Sequence, residues 1–573
     1  MRNRVVLALA VCTGLAALPA ADRQGRLFHK QIPDDQKILQ ALNRLTFGPR
    51  PGDVQTVKAM GLKKWIDEQL HPETIAENPA LTAKLGTMDT LQMTAGEIVR
   101  NYPTPQMVRQ MVNGQMPFPA DPERKMMLTR LVQRYEAQQA AGGDPNRPPQ
   151  MADNRKLNEL LTPEQMRGLR QGTPLQRVAV FTSLPVDKQD EVIAALPQGL
   201  RQNLFAAAPP DVRRRIEMAN GPQQVVARDL MESKILRAVY GNRQLEEVLT
   251  DFWFNHFNIF LDKGADRFMV TEYERDAIRP HVLGKFKDLL MATAKSPAML
   301  FYLDNWQSVG PNAPQARVRQ GASGLNENYG RELLELHTLG VDGGYTQKDV
   351  TEAARCFTGW SINQPQRVGT FVFNRRAHDD GEKTVLGVKI AAGGGIEDGE
   401  KVLDIVAHHV STAHFISKKL AMRFVADDPP AALVERMAAT FLKTDGDLRA
   451  VMRTMIESRE FTSEGAFRSK MKSPLEMVAS AARALNADID YAFPLANQVA
   501  QLGEPLYRKQ EPTGYSNSSA EWMNSAGLMA RMNFALQLAD NKIPGVKVDS
   551  AKAAKPDDPI AGIALGSPEF QKR

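Results

Sequence analysis

The sequence predicts a mainly α protein: a multi-helical globular body with a small β-hairpin element and an inserted helical arm. Three observations predict it. Apolar residues recur at helical spacing along most of the chain, short proline-led segments fill 101–220, and β-forming runs are confined to two stretches near 369–390. The expected organisation is a signal segment at 1–20, an N-terminal helical part at 21–100, a variable insertion at 101–220 and a main helical domain at 221–573.

Arg2 and Arg4 precede an apolar run from Val5 to Val11, and Gly14 to Ala20 relaxes into small residues. This is the pattern of a cleaved secretory signal, with the cut after Ala20. The apolar run falls far short of the roughly 20 residues that span a bilayer, so no transmembrane segment is expected in the mature chain. Val11 is too bulky for lipoprotein processing at Cys12, and no arginine pair precedes the run. A Sec-type route to a periplasmic or extracellular destination follows. Cleavage leaves Cys356 as the only cysteine, which excludes an intramolecular disulfide. Flanked by Arg355 and Phe357, Cys356 reads as a small buried hydrophobe.

Hydrophobic residues at 43% and charged residues at 24% are globular values. The chain is longer than the roughly 250–300 residues at which one core stops growing, so two or more lobes are expected. Its net charge of +6 comes from 72 basic and 66 acidic residues of mixed order. That balance permits an anionic envelope surface as partner. With neither zinc-finger spacing nor an aromatic and basic platform, nucleic acid is not expected.

From Ile38 to Leu70 the apolar positions predict helix, tight turn, helix, broken at Gly48-Pro49-Arg50-Pro51-Gly52. In the arm, Pro163, Pro185, Pro197 and Pro209-Pro210 each precede a short helical pattern, because proline near a helix start costs no internal hydrogen bond. Denser helical patterns follow at 226–239, 243–257, 272–292 and 327–339. Thr370-Phe371-Val372-Phe373 and Thr384 to Ile390 are extended stretches expected to form one small hairpin. Helices then resume across 399–424, 430–442, 447–458, 474–485 and 522–538, with a surface loop near 545–558 and a short ordered end.

The central helix places Asn328, Glu332 and Glu335 in one stripe with Arg331 on its edge, while His337 points away. Two carboxylates at that spacing can hold a divalent cation or share a proton for acid/base work. An ion-pair network with Arg331 is the structural alternative. Upstream, Asp251, Asn255 and Asn258 share a polar helix face, and His256 lies with Leu249, Phe252 and Trp253 on the apolar one. A histidine there is either a hydrogen-bonded core residue or part of an aromatic pocket.

Asp342-Gly343-Gly344-Tyr345-Thr346-Gln347-Lys348-Asp349 fails as a calcium loop, since Thr338 and Gly340 fall on the first ligand positions. Thr346 as a helix cap with Asp349 at the third helical position fits better. His378-Asp379-Asp380, His408-His409 and His414 concentrate polar groups without a His-Glu-x-x-His motif. There is no Gly-x-Ser-x-Gly elbow, and Gly393-Gly394-Gly395 lacks the lysine of a phosphate loop.

These motifs make the chain resemble a large family of exported bacterial proteins known as domain of unknown function 1800 (DUF1800). The resemblance rests on Leu42-Asn43-Arg44-Leu45-Thr46-Phe47-Gly48, Phe252-Trp253-Phe254-Asn255-His256-Phe257 and Asn326-Glu327-Asn328-Tyr329-Gly330-Arg331-Glu332-Leu333. It continues in Glu335-Leu336-His337-Thr338-Leu339-Gly340, Gly344-Tyr345-Thr346-Gln347-Lys348-Asp349-Val350, Phe357-Thr358-Gly359-Trp360, His378-Asp379 and Ser567-Pro568-Glu569-Phe570. It implies an exported helical protein of unestablished biochemistry. Val410 departs from the proline that relatives commonly show after His409.

The leading expectation is an exported binding or assembly protein with a secreted or cell-envelope partner. The alternative is a carboxylate-based hydrolase, with a divalent metal as an open possibility. Glu332, Glu335 and His256 are its candidate catalytic residues; Asn255, Asn328, Arg331, His378, Asp379 and His409 are candidate binding residues.

Overall fold

Helix ends in this protein fall where local chemistry stops them. The structure, a computed structural model, describes residues 25–140, 154–318, 324–548 and 565–573; the expected signal segment and most of the 545–558 loop lie outside these. The pattern across 38–70 forms three helices rather than two: Asp34–Leu45, Asp53–Met60 and Leu62–Leu70. Gly61, at φ 92°, makes the extra break, donating its N–H to the Val57 carbonyl in a conformation that a side chain would strain.

The arm is a cascade of short helices, as its prolines predict. Pro163–Gln171 and Pro174–Thr182 open on capping boxes in which Thr162 and Thr173 exchange hydrogen bonds with Gln165 and Gln176. Val186–Ala195, Gln198–Ala207 and Pro210–Asn220 follow. Phe181, Val192, Ile193, Leu204 and Ile216 belong to an apolar cluster drawn wholly from 157–219. Arg213 with Asp490 (2.8 Å) and Arg214 with Asp229 (2.9 Å) tie the last arm helix to the body.

Pro222–Tyr240 and Gln244–His256 form the centre of the body, where Trp253, Phe257 and Phe286 are fully buried. The helix expected across 272–292 is broken. Asp266–Glu272 runs into a π turn at Tyr273–Ile278 and a 3-10 turn at Arg279–His281, and a new helix begins at Phe286. Pro280 supplies the reason, having no N–H to continue the ladder.

Among the described residues six short strands make three two-stranded antiparallel sheets: β1 (Trp360–Asn363) with β2 (Thr370–Phe373), β3 (Lys383–Val385) with β4 (Val388–Ile390), and β5 (Asp488–Ile489) with β6 (Val546–Lys547). The two stretches expected to share one hairpin therefore do not pair with each other. Phe373 faces Trp360, while Leu386 and Gly387, both at positive φ, turn β3 directly into β4. Among the described residues no helix is long and apolar enough to cross a membrane.

Candidate functional site

The polar face of the Gln244–His256 helix opens onto a cleft. Asp251 and Asn255 line it, together with Lys234 of the preceding helix and the aromatic rings of Phe254, Tyr507, Tyr515 and Trp522. Its interior is small, with a cavity volume of about 50 Å³. Its far wall comes from distant parts of the chain: Arg423, Ser473, Glu476, Glu504 and Arg573. Asn255 joins the walls, since its amide donates to the Tyr515 carbonyl (2.6 Å) and accepts the Tyr515 N–H (2.6 Å). One turn on, Asn258 donates to the carbonyls of Lys509 and Glu511, both at 2.9 Å.

Charge is buried here in quantity. Glu476 accepts from Arg423 and sits 2.7 Å from Arg573, while its other oxygen takes the Ser473 N–H in a capping box. Burial works to raise this carboxyl, but Arg423 and Arg573 outweigh it and hold it at about 2. Arg44, Lys470, Lys472 and Arg531 are buried in the same region. Burial draws Lys472 down to about 7 and Arg573 to about 9. Several guanidinium nitrogens remain without a hydrogen bond among the described residues: Nη2 of Arg423, Nε of Arg573 and Nη1 of Arg531. Glu504 is the counterpart on the acidic side. It accepts the Leu475 N–H at 2.8 Å, and burial next to Asp251 pushes its carboxyl well above the usual range.

On the opposite face of the same helix His256 is a core residue. Its Nε2 lies 3.0 Å from the His337 carbonyl, which can only accept, so Nδ1 is left as the acceptor for Lys419 at 2.9 Å. Burial and the Lys419 charge keep the ring neutral, well below the ordinary histidine range. Burial also lowers Lys419 to about 8. Both ring nitrogens are therefore occupied, and neither serves a glutamate.

The central stripe forms at Asn328–Glu332 and runs into a π turn at Leu333–Thr338. Glu335 accepts from the Tyr345 hydroxyl at 3.2 Å. Glu332, half-buried, makes no hydrogen bond or ion pair among the described residues; burial and then Glu335 raise its carboxyl, with Arg331 opposing. Arg331 itself is engaged by Glu327 (3.4 Å) and Gln347 (2.8 Å), and the Asn328 side chain is exposed. Thr346 and Asp349 make the expected capping box.

His378 and Asp379 are buried elsewhere. Nδ1 of His378 meets the Thr358 carbonyl (2.8 Å) and Nε2 meets Asp398 (3.1 Å), which also binds Lys383 at 2.7 Å. Burial opposes ionisation of Asp379, but Arg355 at 2.8 Å and the N–H groups of Gly381 and Asn312 hold it at about 2. His409 caps the Val410–Phe424 helix, its Nδ1 accepting the Ser411 N–H at 3.1 Å. Cys356 is fully buried, which pushes its thiol up to about 12. Of the nine candidate residues, Asn255 alone lines the cleft. Among the described residues no group of three or more His, Cys, Asp or Glu is placed to hold a metal ion.

A family model described as a protein of unknown function (DUF1800) matches residues 40–571, from the first helix to the last turn and across the arm. The chain belongs to the DUF1800 family. Comparisons with curated proteins and with solved structures find no match. In this DUF1800 protein the residues missed by sequence reasoning are Arg423, Glu476, Glu504 and Arg573. Ser473-Pro474-Leu475-Glu476 does carry a signal, but it is that of a capping box. The second task of Glu476, between two guanidinium groups, has no local signature.

Proposed function

We propose that this DUF1800 protein is an exported binding protein, acting in the cell envelope or outside it, which holds its ligand in the cleft between Asn255 and Arg423. One observation carries the reading. Buried guanidinium groups with unmet hydrogen-bonding capacity line an open cleft that also has an aromatic wall. Unfilled buried donors are costly, and a ligand that supplies acceptors relieves that cost. Aromatic walls with a few convergent polar groups are the usual make-up of a small-molecule site.

The test is a thermal-shift screen of the purified mature protein against small anions, amines and zwitterions. A ligand at about 100 times its Kd stabilises the fold by about 2.7 kcal/mol, a shift of a few degrees. The shift should shrink in W522A, which alters the half-buried aromatic wall. A screen in which nothing stabilises the protein overturns the reading.

A second reading is acid/base catalysis by Glu332 and Glu335, the carboxylate-based hydrolase chemistry expected from the central stripe. It is favoured by the one raised, unpartnered carboxyl of the stripe, beside a glutamate that holds a tyrosine hydroxyl. A carboxyl that holds its proton more tightly, next to a second glutamate, suits proton transfer. Hydrolase profiling of wild type, E332Q and E335Q decides this. Activity lost in both variants supports the reading, and identical profiles refute it.

A further inference from the structure

We infer that the cleft takes a small α-amino acid in its zwitterionic form, with the carboxylate on Arg423 and Arg573 and the ammonium between Asp251 and Glu504. This rests on the cleft being the binding site.

The carboxylate end follows from the free valences. Arg423 spends Nη1 on Glu476, and its Nη2 is 3.8 Å from Asp251, beyond hydrogen-bond length. Arg573 spends Nη2 on the Arg423 carbonyl at 3.0 Å and holds Nη1 2.7 Å from Glu476, leaving Nε without a partner among the described residues. Two adjacent guanidinium groups, each with one nitrogen unspent, offer a carboxylate two donors and positive charge. The field agrees, since Arg44 and Arg531 add buried positive charge around Glu476.

The ammonium end follows from Glu504, which no ion pair among the described residues neutralises, next to Asp251, whose cations are shared. Lys234, at 3.2 Å, covers one oxygen of Asp251, and its charge is shared with Glu274 at 3.4 Å. Glu504 is paired with no cation among the described residues, and the groups facing it are Asp251, Glu476, Arg423, Arg531 and Tyr515. Two neighbouring carboxyl groups cannot both ionise at low cost in a buried site. An ammonium ion between them removes that conflict.

Simpler ligands leave one half unsatisfied. A phosphate brings two negative charges to Asp251, Glu476 and Glu504, and a plain amine leaves the guanidinium donors open. The side chain of the amino acid then lies against Tyr515 and Trp522, whose ring centroids are 6.3 Å apart.

Binding should release a proton, because the ammonium makes Glu504 ionise. Isothermal titration of the full mature chain in two buffers of different ionisation enthalpy measures that proton. The probes are L-alanine and L-phenylalanine, their des-amino partners propionate and 3-phenylpropionate, their descarboxy partners ethylamine and phenethylamine, and inorganic phosphate. The expected result is binding of the amino acids alone, with about one proton released and affinity rising with pH. E504Q should weaken binding at least about tenfold, the equivalent of about 1.4 kcal/mol, and abolish proton release while the melting profile stays cooperative. Should propionate or phosphate bind as tightly as alanine, the amino-acid assignment falls while the cleft remains a binding site. If none of the probes binds and the broader thermal screen is also empty, both fall. Proton release that survives in E504Q overturns the assignment of the ammonium to that carboxyl.

Discussion

Asn255 and Tyr515 are joined by two hydrogen bonds of 2.6 Å, the side-chain amide of one matching the main-chain N–H and carbonyl of the other. The contact is close enough that Gly514, at φ 68°, has no room for a side chain: a Cβ there would stand 2.1 Å from the Asn255 carbonyl oxygen. N255A should therefore loosen the chain at Tyr515, while Asn258 still holds Lys509 and Glu511, at a cost of about 1–3 kcal/mol for the two lost bonds and the groups left unpaired. Faster amide exchange at Tyr515 is the expected readout. Unchanged exchange would place the hold on this segment elsewhere.

Glu476 separates two buried guanidinium groups, so removing its charge should be severe. E476Q keeps the shape but leaves Arg423 and Arg573 facing each other without an anion. A loss of about 3–5 kcal/mol is expected in urea unfolding, which is the range for a buried pair deprived of one partner. A loss below about 1 kcal/mol, the range of an exposed pair, would mean that water reaches the site freely.

Glu504 and Lys472 give stability a pH dependence of opposite sign. Glu504 holds its proton in the fold above its ordinary value of 4.5. Its contribution is complete below 4.5 and is lost as the pH rises through the folded value. Lys472, drawn from 10.5 to about 7, contributes fully above 10.5 and loses that contribution as the pH falls toward 7. Melting temperatures between pH 4.5 and 10 should therefore slope downward into neutrality from both sides. E504Q should make the acid side shallower, with Glu232 and Asp266 keeping the rest of its slope, and K472M the alkaline side, which Lys419 and Lys470 share. A wild-type slope in E504Q would show that the carboxyl is already ionised in the fold.

Val410 begins the Val410–Phe424 helix, is exposed, and donates its N–H to nothing among the described residues. His409 before it is extended (φ −70°, ψ 141°), the conformation that a following proline requires. V410P should raise stability by about 0.4–1 kcal/mol, by restricting the unfolded chain. A lower melting temperature would show that the valine packs better than its exposure implies.

Much of this was legible from residue order. The capping box of Thr346 with Asp349, the proline-led arm helices, burial of Cys356 and the shared polar face of Asp251, Asn255 and Asn258 all depend on neighbours within a turn or two. Periodicity and capping are local, so the sequence states them directly. The broken helix at Pro280 was misread because the apolar spacing on either side continues in phase.

By itself, then, the sequence determined a helical DUF1800 chain, the face of the Gln244–His256 helix that would meet water and the face that would not. Only the tertiary structure decided what that polar face would look onto. Arg423, Glu476, Glu504 and Arg573 come from separate segments, and each alone reads as an ordinary surface charge. Whether a charge can be buried depends on which partners surround it, and those partners are assembled by packing. The same holds for His256: the helical pattern placed it on the apolar side, but only contact with His337 and Lys419 occupied both of its ring nitrogens.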